Sequence, residues 1–242
     1  MKPPITPHSF QTTRWSRVRD AVSGDDPEAR RALDALCEAY WYPIYAYIRR
    51  RGCGSHDAED LTQGFFAHLL ERGALAAADR GRGKLRNFLL ACVNHYLADE
   101  HDRHLTQKRG AGLVTSLDLA WAEERYGTEP VDDLTPDRLY QRRWALMVLE
   151  HSLQLAREEM EQQGKGELFV ALGSFLGFHP APVERYEELA AKLGRPAGTL
   201  KNDVFRLRER WRKILFEQVA LTLDQPDDRK VRDELAELLS CV

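Results

Sequence analysis

Tyr186-Glu-Glu-Leu-Ala-Ala-Lys-Leu-Gly-Arg-Pro-Ala-Gly-Thr-Leu-Lys201 decides how the rest of the chain is read. Leu189, Ala190 and Leu193 recur at helical spacing and form the inner face of one helix. Gly194 permits a sharp turn, and Leu200, Val204, Leu207 and Trp211 form the inner face of a second helix. That spacing predicts a helix-turn-helix. Thr199, Lys201, Asn202, Arg206, Arg208 and Arg210 then fall outward or on the flanks. Side chains near the start of such a second helix reach base edges in the major groove, and arginines further along suit phosphates. The plainer alternative is a helical hairpin with a basic, solvated face.

Outward from this motif, everything reads as helix, and no stretch shows a period-2 strand pattern. A first helix starts near Asp26-Pro27 and carries Ala29, Leu33, Leu36, Tyr40, Ile44 and Ile48 as its apolar stripe. Pro43 is expected to kink or split it. Arg49-Arg50-Arg51-Gly52 suits its C-terminal end. A second helix begins at Ser55 with Asp57, Glu59 and Asp60 in its opening turns and Ala58, Leu61, Phe65 and Leu69 inward. A long helix from about Lys84 to Leu105 buries Leu85, Phe88, Leu89, Cys92, Val93, Tyr96 and Leu97. Periodicity is lost over 107–137, apart from a short helical turn around Trp121. It returns from about Asp137 to Gln163, and a shorter helix follows from Glu167 to Leu176. After the helix-turn-helix, whose second helix runs to about Leu223, an acidic amphipathic helix over 229–239 closes the chain.

The expected architecture is all-α, with two helical domains. Residues 1–26 are an N-terminal extension, 27–106 a first domain, 107–137 an acidic linker, 138–223 the helix-turn-helix domain and 224–242 an acidic tail.

The chain has 242 residues and a formal net charge of −3, but the charge is segregated. From Arg80 to Arg109 seven Lys/Arg face three acids, and from Arg195 to Lys213 seven face two. Between them, Val114 to Asp137 holds seven acids against one Arg. Two basic blocks held apart by an acidic one suit two footprints on a polyanion; the blander reading is solvated helix faces. No run approaches the ~20 apolar residues of a membrane span, and no signal-peptide h-region is visible. Four cysteines without CxxC spacing make neither a disulfide scaffold nor a zinc finger. His95, His101 and His104 lack the acid or Cys partners that would complete a metal site. No Ser/His/Asp order, paired catalytic carboxylates or phosphate loop stands out. The expectation is a cytoplasmic protein with no cofactor and no catalytic residues.

Taken together, three segments resemble the bacterial sigma-70 family of RNA polymerase sigma factors, in its extracytoplasmic-function (ECF) group. Gly198-Thr-Leu-Lys with Val204, Arg206 and Arg208-Glu209-Arg210 resembles region 4.2, which reads the −35 promoter element. Asp57-Ala-Glu-Asp-Leu-Thr-Gln63 with Phe65 and Phe66 closely resembles region 2.2, which grips the polymerase β′ clamp helices. Lys84-Leu-Arg-Asn-Phe-Leu through His95, Asp99 and Arg103 resembles regions 2.3 and 2.4, which melt and read the −10 element. The order and spacing of the three match, over roughly residues 30–109 and 138–215.

The resemblance implies core RNA polymerase and promoter DNA as partners; with no apolar run of span length, no membrane is expected. It assigns polymerase contact to Asp57, Glu59, Asp60 and Gln63, and −10 contact to Arg80, Arg82, Lys84, Arg86, Asn94, His95, Asp99 and Arg103. It assigns −35 contact to Thr199, Lys201, Asn202, Arg206, Arg208 and Arg210. An anti-sigma factor is a common partner in the family. Thr62, beside the polymerase-facing acids, is where a regulatory kinase would act; the plainer reading is a helix-surface threonine. Phe88 sits where the family often has Trp, in a phase that also suits plain core packing. Gly64 replaces a Glu common in the family, Pro196-Ala197 removes a capping box, and Asp203 stands where a neutral or basic residue is usual. The segment 162–185 is longer than usual. The alternative to a sigma factor is a helix-turn-helix regulator that binds duplex DNA without polymerase.

Overall fold

The computed structural model describes residues 27–71, 84–104, 119–129, 134–177, 185–223 and 225–242. The described residues form an all-α protein with no strand among them. The helices are α1 (Pro27–Arg50), α2 (Ser55–Glu71), α3 (Leu85–His104), α4 (Leu119–Gly127), α5 (Pro136–Gln162), α6 (Gly166–Leu172), α7 (Tyr186–Leu193), α8 (Ala197–Leu221) and α9 (Asp228–Ser240). A 3₁₀ turn, Gly173–Leu176, follows α6. No helix among the described residues is long and apolar enough to cross a membrane.

The chain divides into two compact units: residues up to 147 together with 219–242, and residues 148–218. The division falls inside α5 and inside α8, not at the 137/138 and 223/224 boundaries that periodicity suggests.

In the first unit, α1 is continuous through Pro43, so the expected break is absent. Every residue from Ala39 to Ile48 is buried. A helix buried all round is held by packing on every side, which outweighs the one backbone hydrogen bond that proline removes. Its rings knit the unit together: Trp41 stacks on Tyr45 at 5.0 Å, Tyr40 on Trp144 at 6.4 Å, and Tyr47 meets Tyr140 edge-on at 6.3 Å. α1 packs on α2, and α2 on α3.

The acidic span 107–137 is not simply a linker. Residues 105–118 and 130–133 lie outside the described residues, but α4 lies within that span and docks on the first unit. Its Trp121 meets Tyr42 edge-on at 5.3 Å. Its Glu123 takes two hydrogen bonds from Arg49, at 2.8 and 3.0 Å, and one from the Tyr45 hydroxyl. Just beyond it, Glu129 is buried, accepts from the Tyr42 hydroxyl at 2.9 Å and pairs with buried Arg143. Part of the acidic charge is therefore fixed by internal cations.

Thr62 is fully buried and its hydroxyl donates to the Ala58 carbonyl at 2.6 Å. It is neither a surface threonine nor open to a kinase in this fold. Its neighbour Gly64 has a packing reason to be glycine. A β-carbon there would run into the Tyr96 hydroxyl of α3 and sit 3.4 Å from Cζ of the same ring. Tyr96 is itself wedged edge-on against Phe65 at 5.9 Å. Gly64→Ala is expected to destabilise the protein by on the order of 1–2 kcal/mol, as overpacking does. Adding Tyr96→Phe removes the clashing oxygen and should recover most of the loss in urea titrations. Equal stability of Gly64→Ala and the wild type would show that the ring simply moves aside.

Candidate nucleic-acid interface

The second unit presents the helix-turn-helix. α7 closes at Gly194, whose φ of +62° favours glycine, and the Arg195 amide donates to the Ala190 carbonyl at 3.2 Å. α8 opens without a capping box. The Pro196 carbonyl accepts the Thr199 and Leu200 amides at 2.9 and 3.2 Å, so the first turn is formed anyway. Leu200, Val204, Leu207 and Trp211 are buried, and the Trp211 indole donates to the buried Ser152 hydroxyl at 2.8 Å.

On the opposite side Thr199, Lys201, Asn202 and Arg206 are exposed. Among the described residues Arg206 makes no ion pair, and the Lys201 ammonium lies 5.5 Å from the centre of the Tyr186 ring. Asp203 is half-buried and pairs with Arg195 at 3.3 Å, which offsets its negative charge on this basic helix. Phe205 escaped the sequence reading. It is 64% exposed, three residues after Asn202 and four after Lys201, so it shares their face. Its phase was legible; what it implied was not, because an aromatic is read as core by default.

Arg208 is exposed and Arg210 half-buried, and both are hydrogen-bonded to other parts of the unit. The Arg208 guanidinium donates twice to the Phe175 carbonyl, at 3.1 and 2.6 Å, and Arg210 donates to Glu159 at 2.6 Å. They hold α8 to the 3₁₀ turn and to α5, so their first role is to place the outward residues. The bond from Arg210 holds the Glu159 carboxyl below the usual glutamate range. A carboxyl depressed in the fold adds stability above its unfolded pKa of ~4.3 and loses it as pH falls through the lower folded value. The side chains are 41% and 35% exposed, so the gain stays below about 1 kcal/mol. Between pH 7 and pH ~3 the wild type should lose slightly more stability than Glu159→Gln in matched thermal melts. A parallel loss in both would remove the pair from the account.

In the first unit, α2 presents Asp57 and Asp60 to solvent, and neither makes an ion pair among the described residues. Glu59 and Gln63, half-buried, are joined by a 3.2 Å hydrogen bond from the Gln63 amide. Asp57 and Asp60 thus form an open acidic edge beside the buried Ala58, Phe65 and Phe66.

α3 keeps fewer of its expected contacts free. His95 and Asp99 are exposed. Asn94 is half-buried, and its side-chain oxygen accepts from the Tyr47 hydroxyl at 2.6 Å and from Arg51 at 2.7 Å. That brings exposed Arg51, which the sequence reading passed over as a helix-end cation, beside Asn94. Arg80 and Arg82 lie outside the described residues, as does the side chain of Arg103. Phe88 is half-buried.

Arg86 is 1% exposed and so does not face solvent as expected. Its guanidinium lies 4.8 Å from the Trp144 ring centre, donates to Gln141 at 2.6 Å and to Glu237 at 2.5 Å, and pairs with Glu234. Lys84 pairs with Glu234 at 2.5 Å and also with Glu237. Glu234 and Glu237 belong to α9, the acidic tail helix, which charge counting left solvated.

Among the described residues no group of three His, Cys, Asp or Glu side chains could hold a metal ion. Comparison with protein-family models, with curated proteins and with solved structures found no match to this chain.

Proposed function

We propose that this chain is a sigma factor of the ECF type: a subunit that binds core RNA polymerase and directs it to promoters through −10 and −35 elements. The carrying observation is the outward face of α8. Lys201, Asn202, Phe205 and Arg206 stand exposed on a second helix whose opposite side is buried, after a turn at Gly194. Cations and an amide there suit base edges and phosphates, and the exposed ring suits a thymine methyl. The Asp57/Asp60 edge of α2 supports the polymerase contact, since exposed carboxylates that pair with no cation among the described residues are available to a basic surface.

Run-off transcription with bacterial core polymerase tests the proposal. Core enzyme plus this chain should initiate at discrete promoters, and core enzyme alone should not. Duplex binding by the chain without any specific start would favour the regulator instead. One observation leans toward that second reading: Lys84 and Arg86 are engaged by internal carboxylates rather than open to a separated strand.

Asp60→Arg separates the two further. Asp60 is exposed and off the buried stripe of α2, so stability should change by less than about 0.5 kcal/mol. Retention of the chain by immobilised core polymerase should fall several-fold, since like charges now face each other. Undiminished retention would remove α2 from the polymerase contact.

A further inference from the structure

The tail helix α9 is attached by one narrow face. Val231, Glu234 and Leu238 are its buried residues, and most of the remainder is exposed. Val231, Leu238 and half-buried Leu235, together with a carboxylate cluster, hold thirteen residues in place. A helix of that length is marginal by itself in water. Glu237 stands in its last turn, where the free carbonyl ends of the helix favour a cation. Helix chemistry does not explain an acid there; the two cations across from it do. Glu234 pairs with Lys84 at 2.5 Å and with Arg86, and Glu237 takes a 2.5 Å bond from Arg86 and pairs with Lys84.

A carboxylate and a phosphate use the same donors on lysine and guanidinium groups. Any polyanion that engages Lys84 and Arg86 therefore meets α9 as a competitor. The attachment suits a competitor that can leave. The buried ion pair gains little net free energy over its solvated partners, and the part at Glu237, 49% exposed, weakens with salt. The link 222–227 joins α9 to α8 and spans up to about 20 Å when extended.

We propose that α9 is a displaceable acidic cover over Lys84 and Arg86, and that the backbone of a single-stranded nucleic acid exposes that corner by replacing the Glu234 and Glu237 carboxylates. In this way the tail sets a threshold on strand binding by the first unit. The inference rests on the proposed role of the α3 basic corner in contacting a separated strand.

The test uses the full chain and fluorescein-labelled oligo-dT, with binding read by anisotropy at low salt. Glu237→Gln should bind on the order of fivefold tighter than wild type, roughly one freed cation–phosphate contact. Asp233→Asn removes the same charge from an exposed position of α9 and should give no such gain. Lys84→Ala in the Glu237→Gln background should erase it. In the wild-type chain, amide hydrogen exchange over 228–240 should rise when oligo-dT saturates. Equal affinity of Glu237→Gln and wild type, an equal gain from Asp233→Asn, or unchanged exchange in the complex would each overturn the cover. Polymerase retention and run-off, measured on the same variants, keep the two proposals apart. Displacement of α9 with no polymerase activity sinks the sigma reading alone. Run-off activity with α9 still protected in the oligo-dT complex sinks the cover alone.

Discussion

Glu129→Ala is expected to destabilise the protein by about 3–5 kcal/mol, because it removes one partner of a buried ion pair. The Glu129 and Arg143 side chains are 2% and 9% exposed. The same substitution strips the Tyr42 hydroxyl of its 2.9 Å acceptor and cuts the tie between the end of α4 and two other helices. Glu123→Ala provides the contrast. Its side chain and that of Arg49 are 34% and 20% exposed, so water takes over much of the lost interaction. There the cost should be ~1 kcal/mol, within the range of exposed pairs. Urea titrations of both variants against wild type measure the difference. Equal losses at the two sites, or a loss below 1 kcal/mol at Glu129, would mean that solvent or other groups meet the Arg143 charge when Glu129 goes. A double variant with Arg143→Met should recover part of the loss, since it removes the buried cation along with the buried carboxylate.

These two glutamates also mark the limit of what the sequence could say. Helices α2, α3, α7 and α8 were legible because each repeats one apolar face at helical spacing, and the turn at Gly194 was legible because its conformation favours glycine. α1 was legible as a helix and not as the centre of its unit. A stripe through Leu36, Tyr40, Ile44 and Ile48 hides the fact that Trp41, Tyr42 and Tyr45 are buried as well. The acids were read by local density, yet their partners are far away in sequence. Glu123 meets Arg49 across 74 positions, and Glu237 meets Arg86 across 151. No count within a window can find such pairs. The candidate site divided along the same line. Thr199, Lys201, Asn202, Arg206 and Arg208 are exposed as helical phase predicts, although Arg208 also bonds the Phe175 carbonyl, whereas Arg86, Asn94 and Arg210 are drawn into internal contacts that phase cannot see. Gly64 shows the converse error. It looked like a missing acid, and it makes room for Tyr96.

On the proposed sigma-factor role, Lys201→Ala and Arg206→Ala should weaken −35-dependent transcription in different ways, and the double variant should lose on the order of a hundredfold. Both side chains are exposed and stand away from the buried Leu200, Val204 and Leu207. Lys201 lies in the first turns of α8, close enough to its N-terminus for a base edge; one good contact there discriminates by ~1–3 kcal/mol. Its position near the Tyr186 ring limits the directions the ammonium can take, which favours one register over many. Arg206 stands about a turn and a half further on, with no ion pair among the described residues to hold it back. It should meet phosphate, adding affinity that every sequence shares and that salt removes. Transcription from a library of −35 variants at two salt concentrations separates the roles. Lys201→Ala should compress the ranking of promoters while keeping the salt slope. Arg206→Ala should preserve the ranking and reduce the slope by about one unit. Phe205→Ala supplies the internal check: if the exposed ring meets a thymine methyl, its loss should act only where the −35 element carries thymine at one position. An unchanged promoter ranking in Lys201→Ala would take the first turns of α8 out of the groove, and with them the direct reading of the −35 element.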